Sequence, residues 1–190
     1  MKIHTIKGAG GVNLHVREYG KLTGIPILLI HGWSQSHLCW SKQYESTLNN
    51  ETRIVALDLR GHGMSDAPVQ VEQYTDGDKW ADDIAAVIDE LALDRPILVG
   101  WSYGGYIISD YVRRNGQEKI AGINFVDAAV VLGPQAFGAL LGRVFWITHQ
   151  APVRTIFQPV LPRFAGSCAL ASSSQSHRMI SSRSWLSIWS

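Results

Sequence analysis

The chain has 190 residues, 46% of them hydrophobic and 17% charged, and its formal net charge of +1 argues against a nucleic-acid-binding protein. The first ten residues lack the apolar run of a secretory signal peptide, and no stretch reaches the roughly 18 apolar residues of a membrane span. Because the two cysteines have neither metal-site nor disulfide-framework spacing, we expect one cytoplasmic globular domain with no bound metal and no membrane partner.

Short apolar runs divide the first two thirds of the chain into predicted strands. Residues 3–7 and 13–19 alternate apolar and polar side chains on either side of a glycine-rich turn, which predicts an antiparallel hairpin. Four solid apolar runs follow, and they are typical of strands buried on both faces of a parallel sheet. These runs are residues 26–30, 53–57, 96–100 and 123–126.

Two helical patterns lie between these predicted strands. Residues 80–91 place apolar side chains on one stripe opposite four acidic residues, and residues 107–112 repeat the pattern more briefly. Alternating strands and helices predict an α/β fold with a mostly parallel sheet and helices on both faces. In such a sheet, ligands bind beyond the carboxyl ends of the strands.

The composition changes after Asp127. All 16 acidic residues lie at or before this position, and residues 128–190 contain five arginines and no lysine. We therefore predict a core over residues 1–132, an apolar cap-like segment over 133–166 and a Ser-rich tail over 167–190. We interpret the tail as frame-shifted or otherwise aberrant, so that the fold is incomplete at its C-terminus. The alternative is a genuine disordered tail, but disordered segments rarely contain large apolar residues. The tail contains Trp185, Leu186, Ile188 and Trp189.

The segment Gly100-Trp101-Ser102-Tyr103-Gly104 matches the pattern G-x-S-x-G, and it follows a predicted strand and precedes a predicted helix. In that setting the serine occupies a tight, strained turn, and side chains in place of Gly100 and Gly104 would collide with neighbouring elements. The helix N-terminus offers positive partial charge to a developing oxyanion. We therefore predict that Ser102 is a nucleophile, in preference to a serine in an ordinary glycine-rich turn.

Two further motifs precede this one, HGW at 31–33 and D-x-R-G-H-G-x-S at 58–65. In this order the three motifs resemble the α/β-hydrolase fold family, in particular its esterase and cofactor-free haloperoxidase group. The resemblance covers roughly residues 1–130. It implies a small ester-like substrate, no cofactor and no nucleic-acid partner, while the sequence carries no indication of oligomeric state. Ser65 and His62 form an alternative dyad, although a structural turn explains them more simply.

The resemblance also implies roles for individual residues. The loop after the third strand supplies one oxyanion N–H in this family, so the donors would be the backbone N–H groups of Trp33 and Tyr103. We interpret His31 and Gly32 as residues that shape this loop, in preference to His31 as the catalytic base. Asp127 follows the strand after the elbow helix, where some relatives carry their catalytic acid; the simpler interpretation is an ordinary loop residue.

The usual order of Ser, acid and His is incomplete here. No acid follows Asp127, and the two later histidines, His149 and His177, follow no recognisable strand. Because a serine nucleophile needs a base to accept its proton, we predict impaired catalysis by this chain. The alternatives are a non-catalytic hydrolase-like protein that binds a small hydrophobic ligand or a partner, and an inactive product of a damaged gene.

Overall fold

One mixed six-stranded sheet organises the computed structural model, which describes residues 1–130. The predicted cap-like segment and Ser-rich tail lie outside the described residues. The strands follow one another as β1 (Lys2–Lys7), β2 (Asn13–Gly20), β3 (Ile25–Ile30), β4 (Thr52–Leu57), β5 (Ile97–Trp101) and β6 (Gly122–Val126). The helices are α1 (Ser41–Tyr44), α2 (Glu72–Thr75), α3 (Gly77–Glu90) and α4 (Tyr103–Asn115), and short 3-10 turns occupy Ala9–Gly11, His37–Trp40 and Thr47–Asn50.

The order of the strands across the sheet is β1-β2-β4-β3-β5-β6. β2 pairs antiparallel with β1 and with β4, whereas β4, β3, β5 and β6 run parallel to one another. The predicted α/β class, the N-terminal hairpin and the mostly parallel sheet are thereby confirmed. Each strand predicted from an apolar run begins and ends within one residue of the observed strand.

The parallel register aligns the carboxyl ends of the central strands. Ile30, the last residue of β3, lies opposite Leu57 of β4 and Gly100 of β5, and Trp101 lies opposite Val126 of β6. The residues that follow these strands therefore emerge along one edge of the sheet, where open α/β sheets bind ligands.

Packing of α3 and α4 against the sheet buries the main core. The predicted stripe on α3 is buried, with Trp80, Ile84, Val87 and Ile88 all at most 3% exposed. Burial of such a stripe, rather than helix propensity, supplies most of the stability of a helix of this length. Within residues 1–130, the structure contains no helix with the length and apolar character needed to cross a membrane.

A buried ion pair joins α3 to the segment that follows β4. Arg60 and Asp83 are both 0% exposed, and the Arg60 Nε and Nη2 atoms each donate to a different Asp83 carboxylate oxygen at 2.7 Å. The remaining guanidinium N–H groups reach backbone oxygens of Gln73, at 3.0 Å, and Ala9, at 3.1 Å. Asp83 also accepts the Ala9 N–H at 2.9 Å, so the pair connects three separate segments.

Substitution Arg60→Met should destabilise the fold strongly, because it leaves the Asp83 carboxylate buried without its cation. The expected loss in the free energy of unfolding is about 3–5 kcal/mol, measured by urea denaturation. Arg114→Met is the matched control, since the Arg114 side chain is 39% exposed in its contacts with Asp78 and Asp82 and should contribute far less. Equal losses for the two variants would contradict this view of the ion pair.

Candidate active site

Ser102 lies at the turn between β5 and α4, with φ 52° and ψ −117°. Residues other than glycine rarely adopt this backbone conformation, and it persists only where surrounding contacts impose it. The Ser102 N–H donates to the Val126 carbonyl at 3.2 Å, and its own carbonyl accepts the N–H groups of Gly105 at 3.1 Å and Ala129 at 3.0 Å. The end of β6 and the first turn of α4 thus hold the strained turn from both sides.

Three glycines allow neighbouring backbones to approach this turn. A Cβ added at Gly100 would lie 2.8 Å from the backbone carbon of Gly104, and one added at Gly104 would overlap the carbonyl oxygen of Ile30. A Cβ at Gly32 would lie 3.0 Å from the Ser102 Cβ. The loop after β3 therefore packs directly against the serine.

Trp33 and Tyr103 supply two unengaged backbone N–H groups near this turn. Among residues 1–130, no acceptor receives either N–H group. Tyr103 is the first residue of α4, and its ring meets the Trp33 ring edge-on with 5.5 Å between centroids. The N-terminus of a helix carries positive partial charge. The arrangement places donors and a helix N-terminus beside a half-buried serine turn.

His31 is fully buried and connects the ends of β3 and β4. Its Nδ1 donates to the Gly32 carbonyl at 2.7 Å, and its Nε2 accepts the Leu59 N–H at 3.0 Å. The Gly32 carbonyl and the Trp33 N–H belong to one peptide plane, so the first bond also orients that N–H. Burial lowers the pKa of His31 to about 4, although the Gly32 carbonyl favours the protonated ring. His31 is therefore neutral at physiological pH, and both its nitrogens are engaged.

Asp127 directly follows β6, with φ 42° and an exposed side chain. Val126 and Ala129, on either side of it, both bond to the Ser102 backbone, so Asp127 lies beside the Ser102 turn. Within the described chain, no group donates a hydrogen bond to its carboxylate. Residues 1–130 therefore leave the acceptor capacity of this carboxylate unused.

Ser65 and His62, the alternative dyad, are engaged elsewhere. The Ser65 hydroxyl donates to the Asp58 carbonyl at 2.6 Å and accepts the His15 N–H at 2.8 Å. The His62 ring bonds to the Arg60 carbonyl at 2.9 Å. These contacts are those of a structural turn after β4.

No histidine within residues 1–130 makes a hydrogen bond to the Ser102 hydroxyl. Each ring in this range bonds another group: His4 bonds Glu18, His15 bonds Arg17, His31 bonds Gly32 and Leu59, His37 bonds Asp58, and His62 bonds Arg60. His149 and His177 lie outside the described residues. The described part of the chain therefore presents a strained serine turn with no histidine bonded to the serine hydroxyl.

One cluster escaped the sequence analysis altogether. His15, His37 and Asp58 each offer a potential ligand atom, and these atoms lie within 4.8 Å of one another. They come from β2 and from the segments after β3 and β4, so their spacing along the chain resembles no metal motif. Only the position of Asp58 at the start of the D-x-R-G-H-G-x-S motif drew attention to this segment.

Comparison with known proteins gives consistent results. A sequence model described as "Alpha/beta hydrolase family" matches residues 27–187. The AB hydrolase superfamily protein YisY of Bacillus subtilis is 36% identical over 126 residues, which cover 66% of this chain and 45% of that protein. A non-heme chloroperoxidase of Streptomyces lividans is 33% identical over 124 residues, covering 65% and 44%. The chain thus spans less than half the length of these two relatives.

Solved structures agree with this comparison. A putative aryl esterase from Burkholderia cenocepacia matches with a TM-score of 0.69 and 36% identity, covering 86% of this chain and 67% of that one. Esterase RhEst1 from Rhodococcus sp. ECU1013 matches with a TM-score of 0.67 and 30% identity, covering 92% and 70%. The likeness therefore extends from sequence motifs to three-dimensional arrangement.

Substitution Gly104→Ala should destabilise the chain, because the new methyl group overlaps the Ile30 carbonyl oxygen. The expected loss in the free energy of unfolding is about 1–3 kcal/mol, measured by urea denaturation. Gly122→Ala is the matched control, since a Cβ there meets nothing within 4 Å. A Gly104→Ala variant as stable as Gly122→Ala would show that α4 does not pack so closely on β3.

Acid should weaken the fold through His31. The unfolded chain protonates this ring near its ordinary pKa of 6.5 and the folded chain only near 4, so stability falls as the pH drops between these values. The contribution of His31 to this loss is about 3 kcal/mol. Urea denaturation at pH 7 and at pH 4.5 should show the stability gap between the native chain and His31→Gln narrowing in acid. A stability gap of the same size at both pH values would show that other groups cause the acid sensitivity.

Proposed function

The chain belongs to the alpha/beta hydrolase family, and we propose that it is a serine hydrolase that acts on an ester or related small acyl substrate through Ser102. The observation that carries this proposal is the strained conformation of Ser102 at the turn between β5 and α4. A backbone of this kind, held by contacts with β6 and α4, is typical of a nucleophile elbow. The names of the two similar solved structures, both esterases, support an ester as the substrate class.

The proposed chemistry begins with attack of the Ser102 oxygen on the carbonyl carbon of the substrate. The carbonyl oxygen becomes an oxyanion, which the N–H groups of Trp33 and Tyr103 would stabilise. Each such donor is worth about 3–4 kcal/mol of transition-state stabilisation in comparable enzymes. The C–O bond to the alkoxide then breaks, the alkoxide takes the proton that the Ser102 hydroxyl gives up and leaves as the alcohol, and the acyl group stays on Ser102. Water then releases the acid and restores the hydroxyl.

His31 serves this scheme as a positioning residue. Its bond to the Gly32 carbonyl orients the peptide that carries the Trp33 N–H, and its bond from Leu59 fixes the ring. A buried, neutral ring with both nitrogens engaged is a poor candidate for the base that accepts the Ser102 proton.

We propose further that turnover by this chain is impaired. The five histidines among residues 1–130 are bonded to groups other than Ser102, and His149 and His177 follow no recognisable strand in the sequence. Asp127 follows β6 beside the Ser102 turn and would orient a histidine that reaches it. Without a base, the serine hydroxyl attacks slowly, although the oxyanion donors and the helix N-terminus still favour the reaction.

The test is labelling of the full chain with a fluorophosphonate probe, with the modified residue identified by mass spectrometry. We expect slow, selective labelling at Ser102, loss of labelling in Ser102→Ala, and unchanged labelling in the control Ser109→Ala. Ser109 lies about two turns along α4 from Ser102, and its hydroxyl already donates to the Gly105 carbonyl at 3.0 Å.

Folded protein that resists the probe would contradict nucleophilic catalysis by this chain. In that case, thermal stabilisation by a small ester without its hydrolysis would support the second candidate, a non-catalytic binding protein. The lack of a base among residues 1–130 is the observation that favours this candidate.

A further inference from the structure

A second group of reactive side chains lies near the carboxyl end of β4, on the side of the sheet where β2 lies. His15 belongs to β2, His37 to the turn after β3, and Asp58 directly follows β4. One potential ligand atom from each residue lies within 4.8 Å of the other two, and the two imidazole rings are 5.4 Å apart. Three separate segments thus converge on one point.

The carboxylate of this cluster is held in its charged form. Burial by itself would raise the pKa of Asp58, but the backbone N–H groups of His37 and Met64 and the His37 ring outweigh burial and lower it. The distances are 2.6 Å for the His37 N–H, 2.9 Å for the Met64 N–H and 2.8 Å for the ring. A buried negative charge of this kind attracts a cation.

The His37 ring has one nitrogen without a partner. Its Nδ1 donates to Asp58, and its Nε2 is buried with no hydrogen-bond partner in the described chain. Nε2 can therefore take up the ring proton that Nδ1 now donates to Asp58. Because Asp58 lies on the Nδ1 side of the ring, an ion that both residues bind would occupy the place of that proton, with Nδ1 as the histidine ligand.

His15 offers a second imidazole. Burial lowers the pKa of His15, and the nearby Asp58 carboxylate only partly offsets this, so the ring is neutral at physiological pH. Its Nε2 accepts one hydrogen bond, from Arg17 Nε at 3.3 Å. A bond of that length is weak, and a metal ion can displace it.

We propose that His15, His37 and Asp58 bind one divalent first-row transition-metal ion, for which Zn²⁺ is the best fit. Two imidazoles and a carboxylate suit zinc, copper or nickel far better than magnesium or calcium, which prefer oxygen ligands. Three protein ligands leave a fourth position to water. Metal–ligand bonds of about 2.0–2.2 Å require the three side chains to move closer together, by about 1 Å.

The bound ion would connect β2, the turn after β3 and the start of the segment after β4. Because an ion that binds only the folded chain stabilises it, metal binding at this cluster would raise the free energy of unfolding and hold these three segments together. The proposal makes no use of Ser102, so the two proposals stand or fall separately.

The test uses the full, untagged chain after removal of metal with a chelator. Calorimetric titration with ZnCl₂ should show one ion bound per chain, and thermal unfolding should shift to higher temperature with Zn²⁺ and not with Mg²⁺. Titration with Co²⁺ should produce visible absorption bands of a four-coordinate site. His15→Gln and His37→Gln should each weaken Zn²⁺ binding at least tenfold.

Two control variants separate this site from others. His4→Gln removes a histidine that bonds Glu18 outside the cluster, and Ser102→Ala removes the proposed nucleophile; both should bind Zn²⁺ with unchanged affinity. Unaltered affinity in His15→Gln would overturn the proposal, as would the absence of any thermal shift in the native chain. His15→Gln decides the outcome even if His37→Gln fails to fold, because His15 is only half-buried.

Discussion

The parallel register around β3 is the constraint on which the rest of the structure depends. Ile30 lies opposite Leu57 and Gly100, so β3, β4 and β5 end at the same level. The turn of Ser102, the Gly32–Trp33 peptide and the carboxylate of Asp58 therefore reach one edge of the sheet. A shift of one residue in this register would turn every side chain of a strand to the opposite face and separate these groups.

The strained conformation of Ser102 is stable only because contacts from several segments of the chain hold it. Hydrogen bonds from Ala129 and to Val126 hold its backbone, and glycines at 100 and 104 let α4 approach β5 and β3. The core beneath α4 is well packed, with Ile107 and Ile108 fully buried. Rigid packing under a strained residue is what allows a serine side chain to project from the sheet in a defined direction.

Buried charge is concentrated in the segment after β4. Asp58 and Arg60 are both fully buried, and hydrogen bonds satisfy each of them: Asp58 bonds His37 and, within its own segment, Met64, and Arg60 bonds chiefly Asp83 of α3. Removing one partner of such a group is costly, so these contacts hold the segment against the carboxyl edge of the sheet. The two buried groups differ in one respect. Arg60 is matched by several hydrogen bonds, whereas the His37 ring beside Asp58 has one buried nitrogen with no hydrogen-bond partner among residues 1–130.

The sequence alone determined the six strands, the two longer helices and the turn that carries Ser102, because all of them follow from local patterns. Apolar runs predicted the strands to within a residue, and G-x-S-x-G between a strand and a helix predicted the place of Ser102. Only the tertiary structure decided the strand order, the burial that keeps His31 neutral, and the meeting of His15, His37 and Asp58. These depend on contacts between residues far apart in the chain, and spacing along a sequence carries no information about which distant segments the sheet brings together.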